Sequence, residues 1–482
     1  MFQPLPSLVA ASALALVAAS VQAQRPMLVP FEQSLDLLVV DTGIDGVWRL
    51  SDLDQRGGYM TNGEIIQFYD GTTGPVSLSN PTCVAVGRFG QVFVGDSTTD
   101  VIAILEDLDG NGDALGSGEA RAWFDSSNQS GIVMASVMGL TVDAFGDVFA
   151  AVANAGSSGT DMILRLSDLN QDGDANDAGE AQVYCQIPNA AGSVGNSIPT
   201  KIVIAPNGWL YYAEVGSTGA VQKGVWQLAD RNGDGDCDDP GELTHFWTPP
   251  STASAGGFYW GLAVDRAGVF YLTDHNHEQV WRAQDLDQNG TITPNEETLF
   301  YQTTNSTWWD VMIHSDGTVL LCEDFTPDRI VALVDRNGDG DALDAGEASD
   351  WYDSTQSSIG VRPRGGALKQ APSLAIHPQV VPHGQPINLL VTTPRRTTTV
   401  GIVLSNGLAA QPLSLPPIGR LQIDMSIMIP VIAGTSDAQG LFTLPLALPN
   451  DPGLIGSYAF QAIADVGSYR PYLTNAVTLT IQ

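Results

Sequence analysis

The stretch TCVAVGRFGQVFVGD, residues 82–96, decides the fold. An apolar run reaches a turn that ends in Gly90, and a second apolar run follows at once and stops on Asp96. Short apolar runs separated by a glycine turn read as antiparallel strands joined by a hairpin. A third run at 101–105, a loop crowded with Asp and Asn, and a fourth run at 120–124 complete the phrase. It recurs along the chain. Its turn glycines are Gly90, Gly146, Gly208, Gly268 and Gly317, spaced 56, 62, 60 and 49 apart. The glutamates after its acidic loops are Glu64, Glu119, Glu180, Glu242, Glu297 and Glu347, which marks six units.

Four short strands per unit at this period predict an all-β fold, a six-bladed β-propeller. A helical solenoid is excluded, because no unit holds an apolar period of 3.6 over a useful length. The first unit starts at its second strand, residues 37–41, and lacks an innermost one. Residues 360–369 follow the sixth unit, and Gly366-Ala367-Leu368 there echoes Gly261-Leu262-Ala263. This segment is expected to supply the missing strand, so the propeller spans 30–370 and leaves no sheet edge open.

The repeated phrase resembles that of NHL-repeat and gluconolactonase-like propellers of the secreted bacterial type. Gly261-Leu262-Ala263-Val264-Asp265, then Gly268, then Asp274 carry the likeness, with looser copies at 81–96 and 139–149. The resemblance implies the fold and a range of roles: binding protein, RNA or sugars, or lactonase and lyase chemistry. Fold alone does not choose among them. Gluconolactonase-like enzymes hold a metal with acidic and Asn side chains at the start of the innermost strands. Here those positions carry Thr82, Leu140, Lys201, Leu262 and Val311, with Asp310 the one carboxylate nearby. That departure argues against a lactonase.

From residue 371 to 482 the acidic loops and Trp stop, and Pro, Leu, Val and Ser dominate. Candidate strands at 387–393, 400–405, 428–432, 441–448, 458–464 and 476–481 predict a C-terminal β-sandwich. At the other end, residues 8–21 are an apolar run and Val21-Gln22-Ala23 is a small-residue cleavage site, although no Lys or Arg precedes the run. A signal peptide over 1–23 is expected, and with it a secreted, extracellular or periplasmic protein. No run is long enough for a later membrane span.

The net charge is −34, and residues 371–482 contribute none of it, holding four Asp and four Arg. The acidic excess sits on the propeller and repels nucleic acid. All ten Trp lie before residue 352, so this acidic part is folded rather than disordered. The loops explain the charge. Asp285, Asp287, Asn289, Gly290, Thr291, Thr293 and Glu296 match the EF-hand calcium loop at positions 1, 3, 5, 6, 7, 9 and 12. A hard cation wants six to eight oxygens from one tight turn, and Gly at position six lets the chain bend back around it. Four variants follow the same spacing: Asp107, Asp109, Asn111, Asp113, Glu119; Asp168, Asn170, Asp172, Asp174, Glu180; Asp230, Asn232, Asp234, Asp236, Glu242; and Asp335, Asn337, Asp339, Asp341, Glu347. In these the Glu falls at position 13, and Asp177, Asp239 or Asp344 at position ten competes with it. The first-unit loop has Asp52 and Asp54 but Arg56 at position five and is expected to hold nothing. Two carboxylates ~4 Å apart repel by about 4 kcal/mol at an effective dielectric near 20, so structural Ca2+ is expected in the other five loops.

Loops between third and fourth strands lie on the face opposite a propeller's usual mouth. The mouth connections are richest in units five and six: Phe258-Tyr259-Trp260, His275-Asn276-His277-Glu278 and Trp308-Trp309-Asp310. Tyr259, Trp260, His275, His277, Trp308, Trp309, Asp310 and Arg362 are the candidate ligand residues, with Arg364 beside them on the closing segment. Aromatics among polar groups suit a glycan or a peptide; the same aromatics also suit wedges between blades. Asp41, Asp96, Glu214, Asp274 and Glu323 end second strands and are expected to brace turns. No G-x-S-x-G, H-E-x-x-H or glycine-rich phosphate loop occurs. The expected function is therefore binding or structural, and the alternative is a propeller enzyme of lyase or lactonase type acting on a sugar or cyclic ester, a lyase using His275 or His277 as base. Of the four Cys, 185 and 237 fall on neighbouring units and are expected to pair, leaving 83 and 322 free.

Overall fold

The computed structural model describes residues 33–482 except 53–56, 62, 88–89, 144, 154–160, 188–196, 217–221, 251–256, 315–316, 371–372, 378–379, 394–398, 416–418, 425, 427, 438–440 and 465–471. The expected signal peptide lies outside these residues, as do Asp54 and Arg56 of the first loop.

Runs of Val, Ile, Leu and aromatic residues form short strands, and glycines with positive φ turn them. Gly90, Gly146, Gly208, Gly268 and Gly317 all have φ between 79° and 95°, a conformation Gly adopts without strain. Six four-stranded antiparallel sheets result. Blade II is Pro81–Val86, Val92–Asp96, Ile102–Leu105 and Ala120–Phe124. Blade III is Ser136–Val142, Val148–Ala153, Met162–Leu166 and Ala181–Gln186. Blade IV is Pro199–Ile204, Leu210–Glu214, Gly224–Leu228 and Leu243–Trp247. Blade V is Tyr259–Val264, Phe270–Asp274, Gln279–Ala283 and Glu297–Gln302. Blade VI is Trp308–Ile313, Val319–Glu323, Arg329–Leu333 and Ala348–Asp353.

Blade I takes its innermost strand from far along the chain. Pro363–Gln370 pairs antiparallel with Gln33–Asp41, with Leu38 opposite Ala367 and Val39 opposite Gly366, and Gly46–Leu50 and Ile65–Asp70 complete the sheet. Each innermost strand touches the next, from Pro81–Val86 through Trp308–Ile313 to Pro363–Gln370 and back to Pro81–Val86. The ring is closed, with no exposed innermost edge.

The core is divided into wedges between blades rather than gathered in one body. Leu38, Val40 and Phe68 of blade I pack with Val84, Val94 and Leu105 of blade II. Equivalent clusters fill the joints II/III, III/IV, IV/V and V/VI. The joint VI/I holds Leu37, Val39, Tyr59, Leu320, Cys322, Trp351 and Tyr352. An edge-to-face aromatic pair links second and outer strands in four blades: Phe93–Trp123, Phe149–Tyr184, Tyr211–Phe246 and Tyr271–Phe300, with centroids 4.9–5.2 Å apart.

The sheets after residue 372 share no strand with the blades. A three-stranded sheet (Ser373–His377, Pro386–Thr392, Leu441–Ala447) faces a five-stranded one (Val380–Val381, Tyr472–Ile481, Gly456–Ala464, Thr399–Ser405, Met428–Thr435). Ile376, Leu389 and Val391 of the first meet Ile402, Phe460 and Leu479 of the second in one core, which makes a β-sandwich. Sequence periodicity missed Ser373–His377 and the hairpin Leu408–Leu415/Gly419–Ile423.

All four cysteines are free and buried, which corrects the expected 185–237 bridge. The two share one inter-blade cluster. The backbone N–H of Cys237 donates to the carbonyl of Tyr184, not Cys185 (2.6 Å), and this aligns Cys237 with the tyrosine. Burial pushes the Cys237 thiol up to about 12, and raises Cys185 as well. Cys83 and Cys322 are free, as expected.

Candidate functional site

The acidic loops all connect third to fourth strands, and one hydrogen-bonding scheme shapes them. Asp and Asn side chains accept the N–H two residues on, as in Asn111→Asp109, Asp113→Asn111 and Leu115→Asp113 (2.8–3.0 Å). These Asx turns wind the chain so that its oxygens face inward. The first Asp accepts the N–H of the position-six glycine: Gly173→Asp168, Gly235→Asp230, Gly290→Asp285 and Gly340→Asp335 (2.9–3.1 Å). Asp52 of the first loop does the same with Gly57, at 3.0 Å.

The closing glutamate is anchored by the loop's own backbone. Glu119 accepts from Leu108, Asp109 and Gly116; Glu180 from Leu169, Asn170 and Asp177; Glu347 from Arg336, Asn337 and Asp344. In blade V this place belongs to Glu296, whereas Glu297 opens the outer strand and accepts from Trp247 Nε1 at 2.6 Å. The repeat spacing alone points to Glu297, one residue too far along.

Carboxylate oxygens of Asp107, Asp109 and Glu119 lie within 4.8 Å of one another, as do those of Asp172, Asp174 and Glu180, of Asp234, Asp236 and Glu242, and of Asp285, Asp287 and Glu296. The loop at 335–347 shares their hydrogen bonds. Position-ten aspartates join three of the loops. Asn170 Nδ2 donates both to Asp172 (3.0 Å) and to Asp177 (2.6 Å), and Asn232 and Asn337 do the same with Asp234/Asp239 and Asp339/Asp344. Each amide thus donates to two carboxylates while its oxygen accepts the N–H two residues on. Asp107 Oδ1 is buried and unpartnered. Burial and the charges of Glu180 and Asp172 raise the Asp168 carboxyl. Hard oxygen donors, an orphaned carboxylate oxygen and uncompensated charge together fit a hard divalent cation.

On the opposite face, strand-end carboxylates brace the mouth. Asp96 accepts N–H bonds from Ser79, Asn80, Thr98 and Thr99, and these hold it below the usual range against the opposing effect of burial. Asp41 accepts from Gly43, Trp48 Nε1 and Arg362 N; Glu214 from Ser197, Ile198 and Gly216; Glu323 from Arg329. Asp274 accepts from Phe258 N and pairs with His277 Nδ1 at 2.7 Å, so His277 belongs to a brace.

The expected ligand residues separate by burial. Tyr259 is 1 % and Trp308 0 % exposed; both lie in inter-blade cores and leave the candidate ligand set. Their neighbours Trp260 and Trp309 face the mouth, 4.9 Å apart and perpendicular. Phe258 stacks on Trp260 at 5.4 Å, and His275 lies 4.3 Å from Trp309 and 5.5 Å from Phe258. Arg364, on the closing strand, covers this group with its guanidinium 3.1 Å from the Trp309 centroid and 5.7 Å from Trp260. Arg362 is half exposed and pairs with Asp324 at 3.0 Å, which Arg364 also reaches at 3.4 Å. His275 Nδ1, Trp309 Nε1 and Arg364 Nε are buried without a partner. Burial and the Arg364 charge lower the His275 pKa, so its ring is neutral at neutral pH.

Asp310 is buried on the innermost strand of blade VI. Its Oδ2 accepts from Lys201 Nζ at 2.6 Å and from Gly366 N at 3.0 Å, which joins blades VI, IV and I across the axis. It is part of the scaffold beneath the mouth.

No known family pattern and no curated protein matches the chain. Solved structures to which it is similar include a streptogramin B lyase (14% identity, 71% of this chain and 88% of that one, TM-score 0.42). Others are a protein of unknown function from Bacteroides caccae (10%, 70% and 98%, 0.42) and a putative oxidoreductase (glucose dehydrogenase) from Thermus thermophilus (14%, 66% and 91%, 0.41). The strand ladders define the class: a six-bladed β-propeller followed by a β-sandwich.

Proposed function

We propose that this chain is an exported, calcium-braced propeller that binds a saccharide at the mouth between blades V, VI and I. The observation that carries the binding reading is the cluster of Phe258, Trp260, His275, Trp309 and Arg364. It combines aromatic faces with three unpartnered polar atoms in one place. Aromatic faces stack on sugar rings, and indole and guanidinium N–H groups donate to hydroxyls. Buried polar atoms without partners cost free energy that a ligand with matching groups recovers. A peptide with aromatic side chains is the second occupant this corner suits.

Five Asp/Asn-rich loops and the −34 charge support calcium, and the run at 8–21 supports export. Glycan-array binding followed by calorimetry tests the mouth. Trp309→Ala and Trp260→Ala should weaken binding of the saccharide found, with the fold intact. Binding unchanged in both would move the site elsewhere. One observation favours a lyase as the second reading: His275 is neutral and its Nδ1 has no partner, as a general base requires. Turnover of the bound saccharide, lost in His275→Ala while binding persists, would establish that reading.

A further inference from the structure

Counting the first Asp of each acidic loop as position one, position eight is Tyr59, Ala114, Ala175, Cys237, Ile292 and Ala342 in blades I to VI. Every one of these residues donates its backbone N–H to the outer strand of the preceding blade. The bonds are Ala114→Phe68 (2.8 Å), Ala175→Trp123 (2.8 Å), Cys237→Tyr184 (2.6 Å), Ile292→Phe246 (2.9 Å) and Ala342→Phe300 (2.8 Å). Tyr59→Trp351 (2.6 Å) completes the circle from blade I back to blade VI. The side chains at position eight enter the same inter-blade cores. A second tie lies two residues earlier. Arg121 Nε donates to the carbonyl of Gly173 (2.8 Å) and Gln182 Nε2 to that of Gly235 (2.9 Å), each from the preceding blade. At Gly112, with φ 103°, an added Cβ would come 2.7 Å from Arg49 Nη2, so glycine there serves both the bend and the joint.

The loops are thus the outer clasps between blades, and what holds a loop in shape holds its joint. We infer that bound calcium sets the cohesion of the ring joint by joint, with I/II, II/III, III/IV, IV/V and V/VI braced by metal and VI/I independent of it. This rests on the calcium reading above. Without a cation, the converging carboxylates repel and the loop opens, and its position-eight bond goes with it. The exception follows from blade I. Its loop carries Arg56 in place of a ligand, and its clasp is aromatic: Tyr59 meets Trp351 edge-on at 5.8 Å, and Gly57 and Gly58 pack against the same tryptophan. Blade I, against which this joint packs, is also where the two ends of the ring meet, Pro363–Gln370 pairing with Gln33–Asp41. Metal loss therefore loosens the ring everywhere except where the chain could come apart.

The native thiols report on this without mutation. Cys185 and Cys237 lie in joint III/IV, and Cys322 lies in joint VI/I. Cys185 is the sharper probe, because it sits on the outer strand of blade III, outside the loop. The protein is treated with a maleimide under native conditions, with and without chelator, and the labelled cysteines are located by peptide mass spectrometry. Bound calcium is counted by elemental analysis before and after. Chelation should speed labelling of Cys185 and Cys237 by about tenfold or more, as a local opening does, and leave Cys322 unchanged. If calcium is stripped while Cys185 stays protected, or Cys322 keeps pace with it, the joint-by-joint inference is overturned and the calcium reading stands. If no calcium is found before chelation, the calcium reading falls and the inference with it.

Discussion

The Lys201–Asp310 pair is the sharpest place to perturb the ring from inside. The ions are 2.6 Å apart with side chains 13 % and 5 % exposed, and Gly366 N shares the same carboxylate oxygen at 3.0 Å. At an effective dielectric near 20, unit charges at that separation attract by roughly 6 kcal/mol, and desolvation of both ions cancels most of it. Removing one ion strands the other, and for buried pairs that costs about 3–5 kcal/mol. The partial exposure of Lys201 puts Lys201→Met toward the lower value. Asp310→Asn strands an ammonium and loosens the closing strand at Gly366, so it belongs toward the upper one. The double variant leaves no stranded charge and should recover about 2 kcal/mol or more relative to the sum of the singles. Urea unfolding of the four proteins measures this. Single variants costing under about 1 kcal/mol, or strict additivity, would refute the claim that this pair fastens blades IV, VI and I.

Trp308→Ala should cost about 3–5 kcal/mol, as a fully buried aromatic does, whereas Trp309→Ala should cost far less; denaturant melts of the two decide it. Chelation should lower the melting temperature: a site saturated a hundredfold adds about 2.7 kcal/mol, and scanning calorimetry in calcium and in chelator reads the sum over the filled loops. Burial lowers the pKa of His245 and His275. Their neutral forms favour the folded state, so this stability is present above the unfolded value near 6.5 and is lost as pH falls through the folded values. Melts between pH 7.5 and 5 should show that loss, and His275→Gln should reduce it.

The six-fold repeat was legible because turns and acidic loops are written in residue types with narrow roles. Gly90 and its equivalents need positive φ, and Asp and Asn at alternate positions wind a loop through Asx turns. The mouth was legible only as a neighbourhood. Trp308 and Trp309 are adjacent and equally aromatic, and which one faces the mouth is a matter of strand parity. That parity is hidden in the sequence, because a register irregularity falls between Trp308 and Asp310 and another between Tyr259 and Leu262. Arg364 gave a weaker signal than its place deserves: its stacking on Trp309 depends on a strand pairing with Gln33–Asp41, more than three hundred residues away. Cys185 and Cys237 were correctly placed as neighbours, but register at the loop's eighth position gave Cys237 the tyrosine as its partner.

The borrowed strand of blade I also makes the ring a mechanical element. Pro363–Gln370 is followed directly by the first strand of the sandwich, so tension applied through the C-terminal sheets arrives at residue 370 before any other part of the propeller. The load then falls on the ladder with Gln33–Asp41, on Gly366 beneath Asp310, and on Arg364 over Trp309.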